Sequence, residues 1–177
     1  MEQPEPTPDL GPFARSLLGA TVTELWQLAA VSADASIVLP GILVLATNTG
    51  FVTLSYTQEG LSCRCSVRRE EIRWDTEPDL PMGDPGNVEE WLALAPLEDR
   101  VNTPGLPLFV DAVTGWFGVG SYLDAFALIL TGRGRSLVIM TTDDFDLRCV
   151  TRQEARQRAE LVAANMDQRL IEREQRL

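Results

Sequence analysis

The sequence contains no histidine and no lysine, so all 15 of its basic residues are arginine. Without histidine there is no Ser-His-Asp or Cys-His pair, no imidazole general base and no imidazole metal ligand. Without lysine there is no Schiff base and no P-loop lysine to bind a phosphate. An enzyme would have to depend on the remaining side chains or on a cofactor. We therefore expect a protein that is not an enzyme and that holds no cofactor.

Cysteine and long hydrophobic runs are also scarce. The chain has three cysteines, and this odd number disfavours a disulfide framework and suggests reduced thiols in the cytoplasm. The longest apolar run, Ser36 to Ala46, is interrupted by Pro40 and Gly41 and is too short to cross a bilayer. The first eight residues are acidic and proline-rich, and they lack the basic and apolar regions of a secretory signal.

Acidic residues, in contrast, are abundant. The 26 Asp and Glu residues give the chain a net charge of −11 and a pI near 4.4. This charge repels nucleic-acid phosphates and anionic membrane surfaces, so we expect neither as a partner. It would attract a basic protein and speed its association. The alternative is that the acidity only keeps the protein soluble.

The order of apolar runs and loop-forming residues divides the chain of 177 residues into four stretches. One shared core is expected, because either half alone is near the lower size limit for a stable domain. The alternative is two separable domains, divided within the connection. We predict a disordered tail over 1–9, a first β-meander unit over 10–75, a Pro- and Gly-rich connection over 76–106, and a second β-meander unit with a helix over 107–177.

Alternating hydrophobicity predicts the strands of both units. In residues 51–57, for example, Val52, Leu54 and Tyr56 share one face. Two short helices are also predicted, over 10–18 and near 88–95. Further strands are expected around 42–47 and 61–67 in the first unit, and near 109–118, 125–132, 136–142 and 145–150 in the second.

The two units also resemble each other. The pattern Arg-Cys-x-x-Arg-x-Glu occurs at 64–70 and again at 148–154, an offset of 84 residues, and the same offset aligns the preceding hairpins. Self-similarity of this kind predicts an internal duplication. The alternative is that β-hairpins simply share a similar composition.

The C-terminal segment is predicted to be a long amphipathic helix. Thr151 and Glu154 form a capping box, and no proline or glycine follows. Its apolar residues recur at helical spacing on one face. The predicted fold class is therefore α+β, with two related antiparallel β-meander units around one core and a long C-terminal helix. The apolar positions of that helix are Ala155, Ala159, Val162, Ala163, Met166 and Leu170.

Carboxylates and cysteines are the candidate ligands for a metal. Asp143, Asp144 and Asp146 lie within four residues and could bind a divalent cation through oxygen. The alternative is a solvated turn, since Asp is a turn-forming residue. Cys63, Cys65 and Cys149 are too few for structural zinc and are expected to pack as small apolar side chains.

Arginines and a tryptophan are the candidate partner-binding residues. Arg133 and Arg135 lie in a Gly-Arg-Gly-Arg hairpin and could meet an acidic group, or simply flank the turn. Trp91 lies beside long loops and could contact a partner or pack in the core. Four further arginines recur in both units and could line a shared anion-binding surface or pair with neighbouring glutamates: Arg64, Arg68, Arg148 and Arg152.

These observations favour a non-catalytic, acidic protein-binding module that engages a basic protein partner. One concrete form of this function is that of a bacterial immunity or inhibitor protein. The first alternative is a divalent-metal-dependent enzyme that uses the carboxylates at 143–146. The second is a homo-oligomeric structural protein that associates through edge strands or through the C-terminal helix.

Overall fold

The computed structural model of the chain describes residues 6–31, 36–72, 92–96 and 105–177. These residues form two antiparallel β-sheets and two α-helices. The predicted α+β class with mostly antiparallel strands is therefore confirmed. Within these residues, no helix combines the length and the apolar character that crossing a membrane requires.

The first sheet is an antiparallel meander with one extra strand. Tight turns at Asn48-Thr49 and Gln58-Glu59 join its hairpins, and Gly50 and Gly60 follow these turns with positive φ angles of 139° and 107°. A side chain would strain that backbone conformation. In spatial order the strands are β4 (Gly60–Ser66), β3 (Gly50–Thr57), β2 (Ser36–Thr47), β1 (Thr21–Val31) and β5 (Leu92–Pro96), and the short β6 (Leu108–Phe109) also pairs with β1.

The second sheet is an antiparallel meander of the same kind. Its central hairpin turns at Arg133 and Gly134, whose φ angles of 51° and 76° fit a two-residue turn of type I′. The strands predicted for this half are found within about three residues of the expected limits. In spatial order they are β10 (Leu147–Val150), β9 (Arg135–Thr141), β8 (Leu123–Gly132), β7 (Ala112–Val119) and the unpredicted β11 (Arg169–Arg176).

The inner faces of the two sheets share one cluster of buried apolar side chains. Helix α1 (Gly11–Leu17) adds Phe13 and Leu17 to this cluster, and Gly19, with φ of 77°, follows its end. The helix predicted over 10–18 is thus confirmed in type and place. The central members from the sheets are Leu43, Leu45, Val52, Leu54, Leu128, Leu130, Leu137 and Ile139.

Helix α2 (Arg152–Asn165) covers the outer face of the second sheet. Thr151 accepts a hydrogen bond from the main-chain nitrogen of Glu154 at 3.2 Å, as the predicted cap requires. The helix contacts the sheet through Ala155, Ala159 and Ala163, which are all buried. These small side chains let the helix backbone lie close to the strands.

The prediction that this helix continues through Leu170 is wrong. It ends at Asn165, and Asp167 adopts a left-handed φ of 52°. The chain then turns back and adds β11 to the free edge of β7. The hydrogen bonds gained along that edge outweigh the helical spacing of the sequence, since a sheet edge offers unpaired N–H and C=O groups.

The prediction of a short helix near 88–95 is also wrong for residues 92–95, which the structure describes. Leu92 to Pro96 form β5, which pairs with β1 from Trp26 to Ala30. A short apolar run such as this fits a strand as well as a helix, and only the neighbouring strand decides. The rest of that predicted helix, including Trp91, lies outside the described residues. The Pro- and Gly-rich stretch at 75–87 also lies outside them.

The two sheets have the same order of strands. Each begins with a meander of four strands, β1 to β4 and β7 to β10. A helical turn follows, a single 3₁₀ turn at Arg69–Glu71 in the first half and α2 in the second. A fifth strand then returns to pair with the first strand of its own meander, as β5 and β11 do.

Candidate functional site

The β9–β10 loop, residues 142–146, is attached to helix α2 by one arginine. The Nη2 atom of Arg158 donates to Oδ1 of Asp143 at 2.7 Å, and its Nε atom donates to the carbonyl oxygen of Thr141 at 3.0 Å. Within the loop, the main-chain nitrogen of Asp146 donates to the Thr142 hydroxyl at 3.3 Å. The loop therefore has a defined shape that exposes Asp143 and Asp144, whereas the side chain of Asp146 is only 14% exposed.

The carboxylates of this loop do not assemble into a metal cage. Asp143 pairs with Arg158, and Asp146 pairs with Nη2 of Arg148 at 3.2 Å. Asp144 is exposed. Among the described residues there is no group of three or more His, Cys, Asp or Glu side chains that could hold a metal ion.

Phe145 directly follows the turn at Asp143-Asp144 and packs against the first sheet. Its φ angle is 58°, its side chain is 40% exposed, and its ring centroid lies 5.6 Å from that of Tyr56. Gly41 makes this approach possible, because a Cβ atom there would lie 2.7 Å from the Phe145 carbonyl oxygen. The loop thus joins the two sheets.

Tyr56 is half-buried in this contact, and burial raises the pKa of its hydroxyl. The hydroxyl of Thr141 acts in the opposite direction, and the charge of Asp124 adds a smaller upward effect on the pKa. Tyr56 is therefore protonated at neutral pH, and it serves as a hydrogen-bonding and packing group rather than as a base.

Alkaline pH should destabilise the protein through Tyr56. Because its folded-state pKa is raised, its contribution to stability is complete below pH 10 and is lost as the pH rises above 10. We expect the free energy of unfolding to fall more between about pH 9 and 11 in the wild type than in Tyr56→Phe. Urea unfolding at both pH values measures this difference. An equal fall in both proteins would contradict the assignment.

Arg133 and Arg135 have different places in the β8–β9 hairpin. Arg133 occupies the left-handed turn position, where its main-chain nitrogen donates to Oδ2 of Asp111 at 3.4 Å, and its side chain is exposed. The guanidinium of Arg135 donates to the carbonyl oxygens of Gly105 and Pro107. Arg135 therefore holds the segment before β6, and of these two arginines only Arg133 presents its side chain to solvent without such a bond.

The four arginines that recur between the halves have separate surroundings. Arg68 pairs with Glu71 at 4.0 Å, and Arg148 pairs with Asp146. The partner of Arg68 is one of the neighbouring glutamates expected in the alternative, whereas the partner of Arg148 is an aspartate. Arg152 stacks its guanidinium 5.6 Å from the ring centroid of Trp116. Arg64 is exposed on β4.

The three cysteines are not joined in disulfides, and they lie in three different environments. Cys149 is buried in the core, as predicted for a small apolar side chain, and Cys63 is half-buried. The Sγ atom of Cys63 lies 3.7 Å from the Ser16 hydroxyl of α1. Cys65 is exposed, so the prediction of core packing is wrong for this residue.

A charged cluster surrounds Trp116, and the sequence does not predict it. The ring is 2% exposed, and Arg152 and Arg156 of α2 lie over it at 5.6 and 5.4 Å. Its Nε1 atom donates to Oε2 of Glu172 on β11 at 2.5 Å. Trp116 therefore connects α2, β7 and β11. Only the helical spacing of Arg152 and Arg156 is visible in the sequence, because β11 is not expected there.

Strand β11 leaves one edge of the second sheet exposed. Residues 172–176 of this strand are exposed. Glu174 accepts hydrogen bonds from Arg176 at 2.5 Å and from Thr114 at 3.3 Å. The hydrogen bond from Arg176 holds the pKa of Glu174 below its usual range. The edge therefore presents fixed, ionised side chains.

A small pocket lies between α1, the β2–β3 turn and β4. Its volume is about 120 Å³, and its lining includes Ser16, Thr49 and Cys65. Small-molecule sites usually enclose about 300–1,000 Å³, so this pocket is too small for such a ligand.

The chain was compared with known protein families, with curated proteins and with solved structures, and none of the three comparisons finds a match.

Proposed function

We propose that the chain is a non-catalytic, acidic protein-binding module that engages a basic protein partner. A bacterial immunity or inhibitor protein is the concrete form of this proposal. A cytoplasmic location, which the odd number of cysteines favours, belongs to the same proposal. The support comes from the charge of the chain and from the kind of surface that its described residues present.

The uneven distribution of charge is the observation that carries the proposal. Residues 75–99 contain eight acidic residues and no arginine. The rest of the chain contains 18 acidic residues and 15 arginines, so its charges nearly balance. Solubility alone does not require such separation, whereas a strongly acidic segment provides long-range attraction for a basic protein.

The described surface supports a protein ligand in preference to a small molecule. Its carboxylates at Asp143 and Asp146 are engaged by arginines, and its pocket beside α1 is small. What it exposes instead is the turn at Asp143-Asp144, part of the Phe145 side chain and the edge of β11. Surfaces of this kind suit contacts with another polypeptide.

The proposal is tested by affinity capture at two salt concentrations. The purified chain is immobilised and exposed to lysate of its source cells at about 50 and 500 mM NaCl, which shortens the Debye length several-fold. We expect a basic protein to be captured at low salt and lost at high salt. Capture of proteins without regard to their charge, or no capture, would contradict the proposal.

A matched pair of variants locates the attraction. The first neutralises Asp75, Glu77, Asp79 and Asp84 to the corresponding amides. The second neutralises four exposed acids of the described part, Glu24, Glu59, Asp144 and Glu154. The first variant should slow association with the captured protein by on the order of tenfold. The second changes the net charge equally and should have a clearly smaller effect.

We also infer that the two halves descend from one duplicated unit. The inference is supported by the Arg-Cys-x-x-Arg-x-Glu pattern at 64–70 and 148–154 and by the equal order of strands in both sheets. A duplicated unit would give the protein two related sheet edges, at β5 and β11.

A further inference from the structure

We propose that the free edge of β11 binds an extended strand of the partner protein that carries basic residues opposite Glu172 and Glu174 and an acidic residue opposite Arg173. The inference rests on the proposed function, since it names the surface and the type of segment by which a protein partner docks. Strand addition to an exposed edge is a recurring mode of peptide recognition.

The backbone of β11 presents a regular row of unused hydrogen-bonding groups. Arg176 lies opposite Ala112, and the main-chain nitrogen of the next residue, Leu177, donates to the carbonyl oxygen of Asp111 at 3.0 Å. In antiparallel strands, two opposite residues whose flanking neighbours hydrogen-bond to each other form a non-hydrogen-bonded pair. Arg176 and Ala112 are such a pair, so Arg176 directs its own N–H and C=O away from β7. By alternation, Leu170, Glu172 and Glu174 also direct theirs outward.

The side chains of this edge have a defined order of charge. Glu172 and Glu174 lie on the face of the sheet that α2 covers, because they bond Trp116 and Thr114 there. Arg173 lies between them and points to the opposite face. An incoming strand that alternates basic, acidic and basic residues would therefore meet an opposite charge at each of three successive positions.

A second copy of the same chain does not meet this requirement. The two antiparallel registers with the greatest overlap between two β11 strands are centred on Glu172 and on Arg173. The first places Glu172 opposite its own copy, and the second places Arg173 opposite its own copy and Glu172 opposite Glu174. Like charges directly opposite each other destabilise a pair of strands. The charges of this edge therefore disfavour pairing with a second copy of β11 and favour pairing with a strand of complementary charge.

The other strand edges are less suited to this role. Strand β10 has four residues, and β5 has five and ends at Pro96, which has no N–H to donate. In β4, Cys63 and Arg64 already take part in other interactions. Strand β11 is longer, at eight residues, and most of it is exposed.

Two synthetic peptides of identical composition test the proposal with the full chain. The complementary peptide is Glu-Thr-Arg-Glu-Arg-Val-Leu. When it pairs antiparallel with β11, its first residue lies opposite residue 176 and its last lies opposite residue 170. The control, Arg-Thr-Glu-Arg-Glu-Val-Leu, exchanges every charge. Both are neutral overall, so the net charge of the chain does not favour either. We expect the complementary peptide to bind at least about tenfold more tightly.

Amide hydrogen exchange by NMR identifies the edge that is used. The complementary peptide should slow the exchange of Leu170, Glu172, Glu174 and Arg176, whose N–H groups point outward. The amides of residues 171, 173 and 175 already bond to β7 and should change little. Equal binding of both peptides, protection at another edge, or no binding would overturn the proposal. Loss of salt-sensitive capture from lysate would instead contradict the proposed function.

Three variants separate backbone pairing from charge. Glu174→Gln removes only the charge, whereas Glu174→Pro removes the same charge and one outward N–H and leaves the bonds to β7 intact, so Glu174→Pro should weaken peptide binding much more than Glu174→Gln. Glu174→Arg keeps the backbone and reverses one charge, so it should weaken the complementary peptide, but less than the exchange of all the charges of the peptide does. A peptide with Glu in place of its first Arg, the residue opposite position 174, should then restore binding. If Glu174→Pro does not fold, the failure of this rescue would still overturn the proposal.

Discussion

Replacing Gly132 by alanine is expected to lower the free energy of unfolding by about 3 kcal/mol or more. A Cβ atom at this position would fall on the carbonyl oxygen of Phe109, well inside van der Waals contact. The obstacle is backbone, and it belongs to β6, which pairs with β1 of the first sheet. Relief of the clash would require β6 to move away from the end of β8.

Gly134 provides the matched control for this substitution. It lies two residues away in the same hairpin, with φ of 76°, and a Cβ atom there would have nothing within 4 Å beyond its chain neighbours. Gly134→Ala therefore introduces only the strain of a left-handed backbone, about 1 kcal/mol. Urea unfolding of both variants measures the difference. Equal losses of stability would show that the crossing of β6 over Gly132 does not constrain the fold.

The same hairpin shows what the sequence can and cannot predict. Two glycines around Arg133 predict a turn with positive φ, and Gly134 fulfils that role. The sequence places Gly132 in the same turn, but its main function is to admit the backbone at Phe109. The turn is encoded by neighbouring residues, whereas the close approach depends on a strand that is distant in the sequence.

Strands with alternating side chains are predictable because their pattern is local. Phe51 to Thr57 alternates, and the corresponding strand β3 runs from Gly50 to Thr57. Strand β11 has no such pattern, since it is charged at five of its eight positions. It forms because Asp167 reverses the chain beside the open edge of β7. Helical spacing of apolar residues up to Leu170 favours the wrong element.

The candidate site is predictable only in part for the same reason. The carboxylates at 143–146 are visible as a cluster, and a turn is the alternative that their composition also allows. The sequence does not show that Asp143 is held by Arg158, 15 residues further along. Nor does it show that Glu172 reaches Trp116 across 56 residues. Both contacts depend on tertiary packing of α2 and β11 against the sheet.

Trp116→Ala should be the other strongly destabilising substitution, with an expected loss of about 3–5 kcal/mol. The ring is 2% exposed and fills the space between α2 and the second sheet. Its removal leaves a cavity and also leaves Arg152 and Arg156 without the aromatic face over which they lie. We therefore expect faster amide exchange throughout α2, measured alongside urea unfolding.

Glu172→Gln serves as the control that separates packing from hydrogen bonding at this position. The amide oxygen of glutamine can still accept the hydrogen bond from Nε1 of Trp116, so the loss of stability should stay below about 1 kcal/mol. If Glu172→Gln were as destabilising as Trp116→Ala, the charge of Glu172 would be the main stabilising factor. If neither variant had an effect, Trp116 would not connect α2 to β11, because a ring that bridges these elements cannot be removed without separating them.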